Sequence, residues 1–182
     1  MATIITNFYT VDNQIAADLN NPQTISVTTN PEIPGPRSVL GDTCQGIGGS
    51  QWVFVKASTT VTALNVVMID ESFNANNCNF TVATGVSSTK SLGIAEFQAS
   101  VANAGDYFWA QMRGQGGSLV NVLTTAAASA TLYISSSAPG VLTTTVTSSA
   151  SNAVVYNIGV VSSLLSTTAA VEVIFAWMRA SA

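Results

Sequence analysis

A chain of 182 residues with no histidine and only fourteen charged side chains, five basic and nine acidic, lacks most of the groups that enzymes and ion sites draw on. Charged residues make up 8% of it, against roughly 25% in an ordinary domain, while 47% is hydrophobic. The absence of imidazole excludes Ser-His-Asp and Cys-His nucleophiles and His-ligated metal, and a net charge of −4 with Arg37, Lys56, Lys90, Arg113 and Arg179 as the cations leaves no surface to neutralise phosphates, so neither nucleic acid nor anionic membrane is an expected partner and no cofactor is expected.

Taken from its N-terminus, the chain opens MATIITNFYTVDNQ, with neither the basic start nor the apolar run of a secretory signal. A short helix-compatible piece follows at 13–19. Four of the five prolines (Pro22, Pro31, Pro34, Pro36) fall in the first 36 residues, so residues 1–40 read as an extended arm. Its apolar start, Ile4, Ile5, Phe8 and Tyr9, cannot form a core of its own and is expected to lie across another subunit.

From Gly41 onward short β-type runs recur between Gly, Asn, Ser and Thr clusters. They are 51–57 (QWVFVKA), 65–70 (NVVMID), 79–84 (NFTVAT), 92–97 (LGIAEF), 107–113 (YFWAQMR), 118–123 (SLVNVL), 131–135 (TLYIS), 141–147 (VLTTTVT), 154–162 (VVYNIGVVS) and 171–179 (VEVIFAWMR). Their β-branched and aromatic content predicts an all-β fold, a single sandwich or barrel-like domain of about ten short strands over residues 41–182. A chain this long buries enough surface for one substantial core.

Alternation places Trp52, Phe54 and Lys56 on one face of the first run and Val53, Val55 and Ala57 on the other. In the run 107–113, Tyr107, Trp109, Gln111 and Arg113 oppose Phe108, Ala110 and Met112. Both faces of that run carry large apolar groups, so it is expected to be covered on both sides, by the core and by a neighbouring sheet or subunit. Tyr107 and Trp109 are therefore candidate subunit or capsid contacts. The Thr-rich run 141–147 has small hydroxyls on both faces and is expected at an exposed edge or tip. Polar residues interrupt 153–178 too often for a membrane span.

The remaining candidates for chemistry have plain structural readings. Asp70, Glu71, Glu96 and Asp106 could supply a glycosidase pair or a calcium site, but as spaced they read as solvated loop carboxylates. Lys56 or Lys90 beside one of many serines makes a Ser-Lys dyad only formally possible. Gly46–Gly49 and Gly114–Gly117 complete neither a dinucleotide nor a P-loop motif and read as turns. Asn79-Phe80-Thr81 matches a glycosylation triplet by chance. Trp52, Trp109 and Trp177 sit in strand-like runs and read as packing groups. Cys44 and Cys78, 34 residues apart, carry no metal or redox spacing and read as two buried free thiols, with one disulfide as the alternative.

Three stretches read together resemble the bacteriophage head-decoration, or capsid cement, proteins: 52–70, with Val66-Val67 and Ile69-Asp70; 92–114, with Leu92-Gly93-Ile94-Ala95 followed by Ala104-Gly105, Tyr107, Trp109, Gln111 and Gly114; and 132–143, with Leu132-Tyr133 and Pro139-Gly140. They cover about half of the chain. The arm has no matching motif. The resemblance implies a small β-rich virion subunit, made in the host cytoplasm, often trimeric, that sits on the major capsid protein of an assembled head and stiffens it, with no catalytic residues. Many equivalent weak contacts would then add up to durable attachment. The alternative from composition is a tail-fibre or other surface subunit that binds a receptor or glycan.

Overall fold

The computed structural model describes residues 21–24, 38–45, 50–78, 91–97, 99–113, 119–123, 131–135, 137–144, 159–161 and 171–174. Among them the regular structure is all strand: β1 (Thr43–Gln45), β2 (Gln51–Ala57), β3 (Val61–Thr62), β4 (Val66–Ile69), β5 (Asn74–Asn77), β6 (Ser91–Ile94), β7 (Val101–Ala102), β8 (Tyr107–Arg113), β9 (Leu119–Val120), β10 (Thr131–Ile134), β11 (Leu142–Thr143), β12 (Gly159–Val161) and β13 (Val171–Ile174). The fold is the all-β one expected from the sequence. The runs 51–57 and 107–113 appear with the expected bounds, whereas the expected strand 79–84 and helical piece 13–19 lie outside the described residues.

Five strands close into a barrel. β2 pairs in parallel with β5, β5 antiparallel with β4, β4 with β6, β6 with β8, and β8 returns antiparallel to β2. Closure removes the open edges that would otherwise template aggregation. Period-two alternation then sorts the side chains: Val53, Val55, Ala57, Val67, Ile69, Ala75, Phe108 and Ala110 belong to one buried cluster with Ala95 and Phe97. Phe97 meets Phe108 edge-on, with ring centroids 5.4 Å apart. The small β3–β7 pair adds Val61 and Ala102 to that core.

β1 and β5 share one edge of β2, β1 opposite Gln51–Val53 and β5 opposite Lys56 and Ala57. The outward face of β2 and β8 is itself buried: Trp52, Phe54 and Trp109 cluster with Cys44 of β1, and Leu40 and Tyr107 pack against them. Registration puts Phe54 opposite Trp109, ring centroids 5.2 Å apart. Among the described residues, the second cover expected over β8 includes the chain's own Leu40 and Cys44.

The second sheet runs β11-β10-β12-β13-β9. It also returns on itself, because the segment that pairs with β13 through Leu119 and Val120 bridges Leu142 of β11 at Val122. Leu142 N–H donates to Asn121 O at 2.9 Å, and Leu123 N–H donates to Leu142 O at 2.9 Å. This corrects the expectation for Leu142 and Thr143 of the Thr-rich run, which are 1% and 7% exposed and held between β10 and the 121–123 segment, while Val141 and Thr144 are partly exposed.

A polar junction ties the two sheets together. Asn65, buried beside the start of β4, donates from Nδ2 to Asn77 Oδ1 at 3.0 Å and accepts at Oδ1 from Asn121 Nδ2 at 2.9 Å. Asn121 Nδ2 also reaches Ala63 O at 2.8 Å, and Asn77 Nδ2 reaches Thr60 O at 2.9 Å. Main-chain bonds run alongside, Val66 N–H to Gly140 O at 2.8 Å and Asn121 N–H to Leu64 O at 2.9 Å. A buried amide satisfied on both its donor and acceptor sides fixes one relative placement of the two sheets.

Candidate functional site

Three of the described carboxylates, Asp42, Asp70 and Asp106, hold turns. Asp70 Oδ1 accepts from the main-chain N–H groups of Ser72 and Asn74, each at 2.9 Å, and its carboxylate also faces Asn74 Nδ2. This Asx arrangement fixes the tip between β4 and β5, where Phe73 takes a left-handed φ of 59°. Asp42 Oδ2 accepts from Val39 N–H at 2.7 Å. Asp106 Oδ2 accepts from Asn103 N–H at 2.7 Å while Oδ1 accepts from the Thr24 hydroxyl at 2.8 Å. Asp106 is 5% exposed, so the reading of it as a solvated loop carboxylate is corrected: the turn before β8 packs against residue 24 and shields it. No group of three or more His, Cys, Asp or Glu among the described residues is placed to hold a metal ion. No helix among them is long and apolar enough to cross a membrane.

Of the expected contact residues, Ile4, Ile5, Phe8 and Tyr9 lie outside the described residues. Tyr107 and Trp109 share the outer face of β8, but with different access. Trp109 is 1% exposed beneath Cys44, Trp52 and Phe54, so it is a packing group of the single chain. Tyr107 is half-buried, stacks on Phe54 at 5.8 Å and lies under the Lys56 ammonium, 5.7 Å from the ring centroid. Its backbone pairs with Gln23: Gln23 N–H donates to Tyr107 O at 2.6 Å, and Tyr107 N–H donates to Gln23 O at 2.9 Å. The described piece of the arm is therefore docked along the barrel, next to Asp106.

The exposed apolar side chains were not legible as such. Val39 is 73% and Phe73 36% exposed, and both flank Gly41, whose missing side chain makes room for the Phe73 ring: a Cβ there would stand 2.5 Å from Phe73 Cε2. The only sequence signal was Gly41 beside a turn-forming Asp42. Phe73 reaches the surface because the Asp70 turn lifts it there.

Cys44 and Cys78 are both buried thiols that are not joined in a disulfide, which decides between the two readings left open by the sequence. Burial pushes the Cys78 thiol from 9.0 up to about 12. The neutral thiol is thus favoured by folding. Between pH 9 and about 12 the unfolded chain releases this proton and the folded chain keeps it, so stability falls as pH rises, by about 1 kcal/mol or more per unit. Urea midpoints of the wild type are expected to drop through that window and those of Cys78→Ala to drop less. From pH 5 to 8, where no side chain of this histidine-free sequence has its ordinary pKa, the midpoint is expected to stay flat.

Neither a family model nor a curated protein matches this chain.

Proposed function

We propose that this chain is a structural virion protein, a capsid decoration subunit that binds the major capsid protein of an assembled phage head as a homotrimer and acts without catalysis. The observation that carries the reading is where the resembling stretches fall. Residues 52–70, 92–114 and 132–143 contain nearly all of β2, β4, β6 and β8, four of the five barrel strands, together with β11 and most of β10. Stretches distant in sequence thus build one contiguous unit, as a family pattern would. Exposed apolar side chains, Val39, Leu123, Val101 and Phe73, and the apolar start of the arm are the surfaces left for attachment.

Co-sedimentation with undecorated heads tests the reading. Removal of residues 2–20, which takes away Ile4, Ile5, Phe8 and Tyr9 but spares the docked Gln23 and Thr24, is expected to weaken head binding at least tenfold while the circular dichroism of the β body is retained, a loss of about 1.4 kcal/mol per site. Removal of 2–36 is expected to lower the melting temperature as well, because it strips Gln23 from Tyr107 and Thr24 from Asp106. Binding of the intact protein is expected to survive about 0.5 M salt, where charge pairs are screened within a few Å. A truncated protein that decorates heads as tightly as the intact one, or an intact one stripped by salt, contradicts this account of the contact. A thermal shift with one member of a glycan panel would favour the tail-fibre alternative.

A further inference from the structure

Tyr107 presents its main chain outward at the seam of the barrel. β8 pairs along one side with β2; on the other side, among the described residues, it pairs with β6 only at Ile94 opposite Gln111, and Tyr107 is paired instead with Gln23. Gln23 N–H donates to Tyr107 O at 2.6 Å, Gln23 O accepts from Tyr107 N–H at 2.9 Å, and the Thr24 hydroxyl donates to Asp106 Oδ1 at 2.8 Å. The strap that makes these bonds is itself shallow: Asn21 and Thr24 are exposed, and Pro22 and Gln23 are half-buried. A short piece held at the surface by polar bonds, with little apolar burial, belongs to the low-stability end of a fold.

The barrel side of the contact is held without the strap. Asp106 Oδ2 accepts from Asn103 N–H at 2.7 Å, Asp106 N–H donates to Asn103 O at 3.0 Å, and Ala57 N–H donates to Asp106 O at 2.8 Å. Tyr107 stands opposite Lys56 of β2 with its ring stacked on Phe54. Departure of the strap would therefore leave an N–H, a C=O and a carboxylate oxygen fixed in place along one edge. We propose that residues 21–24 are a latch that opens and recloses while the barrel stays folded, and that the seam it covers is a strand-addition site for an extended segment with a Ser or Thr directly after its pairing residue. The strap itself shows that spacing: Gln23 pairs with Tyr107, and Thr24, the next residue, reaches Asp106. Closed, the latch keeps this edge from pairing with other strands. The latch is independent of the decoration role, which its failure would leave standing.

Native-state hydrogen exchange of the full chain, followed amide by amide in urea below the unfolding transition, tests both parts. Tyr107 and Ala57 are the informative pair, because the Tyr107 amide is bonded to the strap and the Ala57 amide to Asp106 of the barrel. The Tyr107 amide is expected to exchange about 100-fold faster than that of Ala57, with a shallower dependence on urea because opening the latch exposes little surface. Thr24→Val takes the hydroxyl from Asp106 and is expected to speed Tyr107 exchange about tenfold while leaving Ala57 unchanged. In that variant, whose latch is weakened, a peptide of residues 19–26 at millimolar concentration is expected to slow Tyr107 exchange again, and the same peptide carrying Thr24→Val is expected not to. A common rate and urea slope for the two amides, or a Tyr107 rate indifferent to Thr24→Val, overturns the latch. A peptide without effect on Tyr107, or one that acts equally well without its hydroxyl, overturns the strand-addition site.

Discussion

Gly140→Val is expected to destabilise the protein by about 4 kcal/mol or more, a large share of the total for a domain of this size. Gly140 has φ +79°, a region that costs a non-glycine residue about 1–2 kcal/mol and a β-branched one more. Space is the larger obstacle: a Cβ at this position would meet Asn65 Cγ at 2.7 Å and Cβ at 2.8 Å, with Nδ2 nearer still. Asn65 cannot withdraw without breaking its bonds to Asn77 and Asn121, and each buried polar group left unsatisfied costs about 1–3 kcal/mol. Urea titration at fixed protein concentration measures the loss. A double-mutant cycle assigns it: in an Asn65→Gly background, which removes the Cβ as well as the amide, Gly140→Ala is expected to retain only its backbone strain. A cost below about 1 kcal/mol for Gly140→Val would mean that the two sheets are not locked at this junction.

Phe54→Ala is expected to cost about 3–5 kcal/mol and to lower the melting temperature by about 10 °C. Phe54 has no exposed surface and holds Trp109 and Tyr107 at once. Truncating it leaves a cavity under segment 38–45, and Trp109 keeps its place through Trp52 and Cys44. Because the cover is supplied by the same chain, the loss is expected to be the same at low and high protein concentration. A loss that appears only where the oligomer forms would return this face to a subunit interface.

The barrel strands that alternate strongly were readable from residue types alone. In 51–57 Val53, Val55 and Ala57, and in 107–113 Phe108, Ala110 and Met112, fall at every second position and match the pleat, and both strands appear with their expected bounds. β5 was not readable, because Asn74, Asn76 and Asn77 are poor strand formers; it exists through its pairing with β4 and β2 and through Asn77 in the amide junction. The tertiary setting also reversed the reading of Thr143 and Asp106: local polarity argued for solvent, and segments distant in sequence, 121–123 and 21–24, cover them instead. Trp109 was legible as buried but not as to what buries it, since segment 38–45 has weak strand signals and lies about 65 residues away. The exposure of Phe73 depends on the Asp70 turn and that of Val39 on the turn closed by Asp42, and no periodicity carries either.

The most direct test of the decoration role is immunogold electron microscopy of purified virions with antibody raised against this chain. Label distributed over the outer surface of the heads, and lost together with head binding when residues 2–20 are removed, is the expected result. Label confined to tails or fibres, or virions without the chain, would contradict it.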